Sequence, residues 1–241
     1  MANYLTGGKM KILSKSILTL MFAGCFLVQS RALVAGELSW SGDVTLVSTY
    51  VWRGVQQFEG TAAQGTITGS FGKVNAGLWY SSIGFGNGMV METDPFVSLS
   101  LPLDKLNTSF GLTAYAYDFK DYNDAANVEF EIFATIGAGP FGLALFCVPN
   151  QGSMEAYVLS STYWLQFSAA KSWKDLNLSA QVEYGNYSSR FVNASRTTPV
   201  GDLVFSANKA FSEKLSVGLN ALLPLDSDMK TLYWLKITYL F

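Results

Sequence analysis

The sequence predicts an all-β protein, a transmembrane up-and-down antiparallel β-barrel of about twelve strands. Three observations predict it: the composition, a repeated alternation of apolar and polar residues, and connections that alternate in length. Of the 241 residues, 15% are aromatic and only 14% are charged, against about 25% charged in soluble domains. After residue 35 the sequence holds no run of about 18 apolar residues, as a helical span requires. A closed barrel is the other structure that crosses a bilayer with every backbone group paired.

Residues 1–35 have the organisation of a signal peptide, and residues 36–241 then form the barrel. The apolar run Ile17–Val28 follows a basic region, and small residues near Ala35 precede the first polar stretch. The basic residues are Lys9, Lys11 and Lys15. Residues 1–8 carry no charge, so Met10 is a candidate start. A lipoprotein cleavage box at Phe22–Cys25 is the weaker alternative, because apolar sequence continues through Val34.

The charge of the mature chain is acidic. The signal segment takes four of the 16 basic residues and none of the 18 acidic ones, which leaves 12 against 18 and a net charge of −6. This balance argues against nucleic acid as a partner, because phosphates require a basic face. Cys25 leaves with the signal, so Cys147 has no intrachain partner and is interpreted as a small apolar side chain.

Period-two alternation over short segments indicates strands with one apolar and one polar face. In the segment 175–185, for example, Leu176, Leu178 and Ala180 alternate with Asn177 and Ser179. The predicted strands are 43–53, 62–71, 73–82, 95–101, 107–117, 127–137, 141–148, 154–170, 175–185, 201–210, 214–223 and 230–241. The connections between them are alternately long and short. Outer-membrane barrels combine short periplasmic turns with longer external loops, and the even strand count fits them.

The last strand carries the most specific local signal. Counting back from the terminal residue, every second side chain is apolar or aromatic: Phe241, Tyr239, Ile237, Leu235 and Tyr233. This pattern resembles the C-terminal signal by which the barrel-assembly machinery recognises outer-membrane barrels. An ordinary amphipathic edge strand is the alternative interpretation.

One motif resembles a known family. Thr49–Gly54, with the sequence Thr-Tyr-Val-Trp-Arg-Gly, is similar to the Tyr-Val-Phe-Arg-Gly opening of the TorF porin family. The resemblance continues in a tyrosine-rich strand at Gly111–Tyr117 and in the Glu-Phe-Glu-Ile-Phe-Ala segment Glu129–Ala134, and runs loosely through 41–241. The chain departs from the family in its short, tyrosine-poor loop after Tyr117 and in Trp52 where Phe is usual. The resemblance implies an outer-membrane porin-like barrel and names no solute.

The candidate site residues are charged side chains whose parity along their strands places them inside the barrel. They are the pore-lining candidates Arg53, Glu129, Glu131, Glu183, Asp202 and Lys236. Mixed charges around a ring set a transverse field across a pore. Acid/base catalysis by Glu129 and Glu131 is the less favoured alternative, since a water-filled lumen is lined by polar groups in any case.

Catalytic and metal chemistry find little support in the composition. The chain contains no histidine, so the usual base for a hydroxyl nucleophile and the usual metal ligand are both lacking. No enzyme activity, metal or cofactor is therefore expected. Aromatic residues near predicted strand ends, among them Tyr50 and Trp52, are interpreted as lipid-facing girdles. Trp79 and Trp234 are expected to face inward, where stacking on sugars is an alternative role.

Together these observations predict a porin-like channel in the bacterial outer membrane. It would pass ions or small polar solutes by passive diffusion with a mild preference for cations, and its partners would be outer-membrane lipid and the barrel-assembly machinery. The alternative is a non-conducting barrel that serves as a structural or adhesive surface protein.

Overall fold

The computed structural model of the chain is an all-β closed barrel. The structure describes residues 36–82, 91–118, 128–148, 162–187, 196–225 and 229–241, so the predicted signal peptide lies outside the described residues. Twelve antiparallel strands close the barrel, and a short two-stranded hairpin accompanies them. This confirms the predicted fold class and strand number. The described residues include no helix long and apolar enough to cross a membrane.

The fourteen strands of the described residues follow one another in chain order. They are β1 (Leu38–Val47), β2 (Tyr50–Trp52), β3 (Val55–Phe58), β4 (Ala62–Phe71), β5 (Val74–Ser82), β6 (Met91–Leu103), β7 (Leu106–Asp118), β8 (Val128–Ala138), β9 (Phe141–Val148), β10 (Thr162–Trp173), β11 (Leu176–Tyr187), β12 (Arg196–Ala210), β13 (Leu215–Pro224) and β14 (Leu232–Leu240). Each barrel strand pairs with its neighbours along the chain, except that β1 pairs with β4 and, at the seam, with β14.

The two ends of the barrel differ in the length of their connections. At one end, which we call the turn end, strands are joined by tight turns at Gly72, Asp104, Gly139 and Lys174, all with positive φ. At the other, the loop end, the connections span 48–61, 83–90, 119–127, 149–161, 188–195 and 225–231. The alternation of short and long connections thus follows the predicted pattern. The predicted bounds 95–101 are wrong, since this strand begins at Met91 and ends at Leu103. Residues 154–161 of the predicted strand 154–170 lie outside the described residues, and its described part is Thr162–Trp173.

Period-two alternation separates an apolar outer surface from a polar lumen. In β9 the exposed residues are Phe141, Leu143, Leu145 and Cys147, while the side chains between them are more buried. In β14 Leu235 and Ile237 are exposed and Lys236 between them is half-buried. Large apolar side chains exposed on a protein surface indicate contact with an apolar medium. The outer face of the barrel is therefore apolar, as contact with lipid requires.

Inward-facing aromatic residues lie against glycines on the neighbouring strand. Phe96 is the register partner of Gly77, Phe133 of Gly111 and Trp164 of Gly185. A β-carbon at any of these glycines would overlap the aromatic ring. Because glycine has no side chain, the ring can lie flat on the wall beside it. Bulky aromatics are accommodated inside the barrel in this way.

The first strand is where the sequence prediction and the structure differ most. The predicted strand 43–53 ends at Val47, and the chain then forms the hairpin β2–β3 before it returns as β4 at Ala62. Val47 and Ala62 are direct register partners, so the barrel wall is continuous without the inserted segment 48–61. Tyr50 is only 6% exposed and packs with Val47 and Ala62. The interpretation of Tyr50 and Trp52 as lipid-facing girdle residues is therefore wrong, because both belong to this hairpin.

Candidate functional site in the lumen

The β2–β3 hairpin turns sharply at two residues. Trp52 pairs with Val55, and the turn residues Arg53 and Gly54 have φ of 46° and 78°. Positive φ at both central positions is the requirement of a type I′ turn, the common two-residue hairpin connection. Asn-Gly is the usual sequence there, and a residue with a β-carbon such as Arg53 carries a conformational cost of about 1 kcal/mol or more.

The base of the hairpin packs inside the barrel rather than outside it. The Tyr50 hydroxyl donates a 3.0 Å hydrogen bond to Glu92 Oε2 on β6. The Tyr50 ring lies 5.9 Å from the ring of Trp79, which is on β5. Trp234 of β14 and Phe58 pack against the same buried cluster. Trp79 and Trp234 therefore face inward, as predicted, and are covered by the hairpin.

The tip of the hairpin reaches the opposite wall. Around the barrel, β8 and β9 lie about half the circumference away from β1 and β4, between which the hairpin emerges. The Arg53 guanidinium lies 2.5 Å (Nη2 to Oε2) from Glu131 on β8, and 4.7 Å above the ring of Phe146 on β9. At the same tip, a β-carbon at Gly54 would overlap the Asp202 carboxylate of β12. The hairpin therefore crosses the lumen.

The ion pair at the tip is enclosed by aromatic rings. Trp52 lies 4.4 Å from the Arg53 guanidinium and is in edge contact with Tyr115 at 6.1 Å. Tyr115 donates a 2.8 Å hydrogen bond to Glu131 Oε1. Arg53 and Glu131 are both more than 90% buried. A buried charge pair of this kind is maintained only when its members are mutually paired and hydrogen-bonded.

Acidic side chains surround the tip from several strands. Among the described residues, five buried carboxylates face the lumen near the hairpin: Glu92, Asp94, Glu131, Glu183 and Asp202. Glu183 accepts a 2.9 Å hydrogen bond from Gln166, and Asp94 accepts one of 3.3 Å from the backbone N–H of Ala116. In the part of the chain that the structure describes, no three such groups converge closely enough to hold a metal ion.

The structure brings four of the six predicted pore-lining residues into one lumenal layer. Arg53, Glu131, Glu183 and Asp202 are all buried at this level. Arg53 reaches it from the hairpin, not from a wall strand as predicted. Lys236 is half-buried on the inner face of β14, opposite Val47, apart from the Arg53–Glu131 pair. The side chain of Glu129 lies outside the described residues.

Sequence reasoning missed Glu92, Asp94, Tyr115 and Trp164. It placed Glu92 and Asp94 in the long connection between the predicted strands 73–82 and 95–101, whereas β6 begins at Met91 and both side chains face inward. The sequence did carry a signal for their inward position, because Glu92 and Asp94 lie on the same face of the strand as Phe96 and Ser98. Tyr115 and Trp164 are aromatic residues on inner faces, and parity alone does not show that the hairpin packs near them.

The polar lumen continues below the hairpin toward the turn end. Ser70 donates a 2.7 Å hydrogen bond to Asn75, whose side-chain amide lies 3.0 Å from the Ser100 hydroxyl. Across the barrel, a cavity of about 310 Å³ is lined partly by Thr135, Gln166 and Gln181. These side chains are half-buried, unlike the carboxylates at the tip. The lumen is thus narrower at the hairpin and more open beyond it.

This architecture, a closed barrel with an apolar outside and a polar inside, is that of outer-membrane barrels. The chain is similar in fold to the KdgM porin (TM-score 0.53, 12% identity, covering 83% of this chain and 98% of that one). It is also similar to an outer membrane channel from Pseudomonas putida F1 (TM-score 0.51, 11% identity, covering 89% and 98%). A third similar structure comes from work on in-meso crystallization of membrane proteins (TM-score 0.55, 10% identity, covering 84% and 83%).

These likenesses show the fold. No protein-family model and no curated protein matches the chain. The resemblance to the TorF family therefore stays a prediction.

Proposed function

We propose that the protein is a porin-like channel of the bacterial outer membrane, for passive diffusion of ions or small polar solutes with a mild preference for cations. The observation that carries this proposal is the distribution of side chains. A polar, partly open interior is enclosed by an apolar outer wall. The similarity in fold to the KdgM porin and to the Pseudomonas channel supports it.

The preference for cations follows from the charges that face the lumen. Among the described residues the five lumenal carboxylates outnumber Arg53 and Lys236. Fixed charges in a ring select against ions of the same sign. The preference should be mild, since salt at 0.1 M screens charges beyond about 10 Å.

The hairpin across the lumen favours one alternative, a non-conducting barrel whose external loops are the working part. An enzyme is not proposed, because the lumenal layer of the described residues offers carboxylates and an arginine but no activated nucleophile.

Planar-bilayer recording separates the two functions. Purified folded protein in a salt gradient should give discrete conductance steps, with a reversal potential on the cation-selective side. The Glu183→Gln variant should reduce the preference, while Glu213→Gln, in an exposed turn at the turn end, should leave it unchanged. Folded protein that never conducts would favour the surface-protein alternative, and strong anion selectivity would contradict the charge argument.

A further inference from the structure

We propose that the β2–β3 hairpin is the constriction of the channel and that Arg53, held on Glu131, is its selectivity-determining residue. This inference rests on the proposed channel function. It assigns control of the conductance to the hairpin, and control of the charge selectivity to Arg53.

The size of the hairpin supports the assignment. Twelve strands about 4.8 Å apart and tilted by about 40° give a backbone diameter of roughly 24 Å, and inner side chains reduce the bore to the order of 10 Å. A two-stranded hairpin is itself roughly 10 Å across with its side chains. The carboxylates at its level are nearly inaccessible, with Asp202 at 0% and Glu131 at 1% exposure. The hairpin thus narrows the cross-section where it lies.

The charge at the hairpin tip is the second observation that supports the assignment. A hairpin that only filled space would be held well by its apolar cluster of Tyr50, Trp52 and Phe58. This one instead carries a guanidinium into a layer of carboxylates, at a turn position where an arginine is conformationally strained. The Arg53–Glu131 ion pair joins the tip to the far wall. The same group therefore fixes the hairpin and sets the field at the narrowest point.

The barrel offers a clean way to remove the constriction. Because Val47 and Ala62 are register partners, segment 48–61 can be replaced by a short Gly-Ser loop without changing the pairing of β1 with β4. Single substitutions then separate charge from bulk. Arg53→Ala removes the guanidinium, Arg53→Lys keeps the charge without the planar group, and Glu131→Gln removes its partner. Lys209→Ala is the matched control, because this exposed lysine is ion-paired with Asp175 at the turn end of the barrel.

The experiment compares these variants in planar bilayers under a salt gradient, after heat-modifiable migration on gels has shown that each is folded. The loop-replaced variant should conduct at least about threefold more than the wild type, since the narrowed bore is opened. Arg53→Ala should shift the reversal potential further toward cations, and Arg53→Lys should restore it. Lys209→Ala should match the wild type. Because the Arg53–Glu131 pair fixes the hairpin, Arg53→Ala and Glu131→Gln should each raise the fraction of time spent conducting. The double variant should raise this fraction no further than either single variant.

The outcomes are distinguishable. If the wild type conducts and the loop-replaced variant has the same conductance, the hairpin is not the constriction. If Arg53→Ala has the same reversal potential as Lys209→Ala, Arg53 does not determine selectivity. Both results would overturn this inference and leave the channel function intact. If folded protein conducts neither with nor without the hairpin, the proposed function fails and this inference fails with it.

Discussion

Glu183 on β11 and Asp202 on β12 are direct register partners, and both carboxylates are buried on the lumenal side. Like charges directly opposite each other on neighbouring strands destabilise a sheet. Replacing Glu183 with Gln should therefore raise the free energy of unfolding by about 0.2–1 kcal/mol, because its amide oxygen can still accept the hydrogen bond from Gln166. Urea unfolding in lipid vesicles measures this, with Glu213→Gln as control; a lower stability would contradict it.

Gly54 tests how tightly the hairpin tip is seated. Its φ of 78° disfavours any side chain, and a β-carbon there would overlap Asp202. Gly54→Ala should weaken hairpin packing by about 1–3 kcal/mol and reduce the near-ultraviolet circular dichroism of the enclosed tryptophans. The control is Gly139→Ala, which has a φ of 55° but no neighbouring atom within 4 Å of the added carbon. Equal effects of the two variants would show that backbone strain alone is responsible.

Gly185 tests the glycine–aromatic contacts of the inner wall. A β-carbon at this position would overlap the Trp164 ring and the Tyr163 carbonyl oxygen. Gly185→Ala should cost about 1–3 kcal/mol, because overpacking forces a side chain out of its place. Gly137→Ala, where the added carbon meets only ordinary contacts at 3.8 Å or more, should cost less. Tryptophan fluorescence during denaturation gives both values, and an unchanged midpoint for Gly185→Ala would be the contrary result.

Phe241 joins the last strand to the first. Its backbone N–H donates to Gly42 O at 3.1 Å, and Gly42 N–H donates to Phe241 O at 3.3 Å. A chain that ends at Leu240 should assemble poorly, both because this contact is lost and because the predicted terminal signal is truncated. Phe241→Trp keeps an aromatic residue and should assemble. The folded fraction in outer-membrane preparations is the readout, and wild-type levels of the truncated chain would contradict the prediction.

The orientation of the barrel is also testable. With Cys147 replaced by Ser, cysteines at Gly88 or Ser189 in the long connections should react with an impermeant maleimide on intact cells. Cysteines at Lys105 or Lys174, in the short turns, should not react until the membrane is permeabilised. The reverse pattern would invert the topology and place the hairpin at the periplasmic end.

The wall of the barrel was predictable from the sequence, because lipid outside and water inside impose a period of two on every strand. The β2–β3 hairpin could not be predicted from the sequence in this way. Tyr50 and Trp52 continue the alternation of β1, since the hairpin is itself β-structure, and parity cannot separate a ring that faces lipid from one enclosed in the lumen. The predicted inward position of Arg53 therefore rested on the wrong strand, and its pairing with Glu131 required knowledge of a contact across the barrel.

The seam between the first and last strands has a mechanical consequence. β1 and β14 share five register pairs, fewer than at any other junction of the barrel wall in the described residues, where seven to eleven are present. Resistance to separation grows with the number of ladder hydrogen bonds, so a pulling force or rising temperature should part the wall first along this line. The hairpin emerges from β1 beside that line while its tip is attached to β8. The inserted segment 48–61 therefore connects the weakest junction of the barrel, between β1 and β14, to the opposite wall.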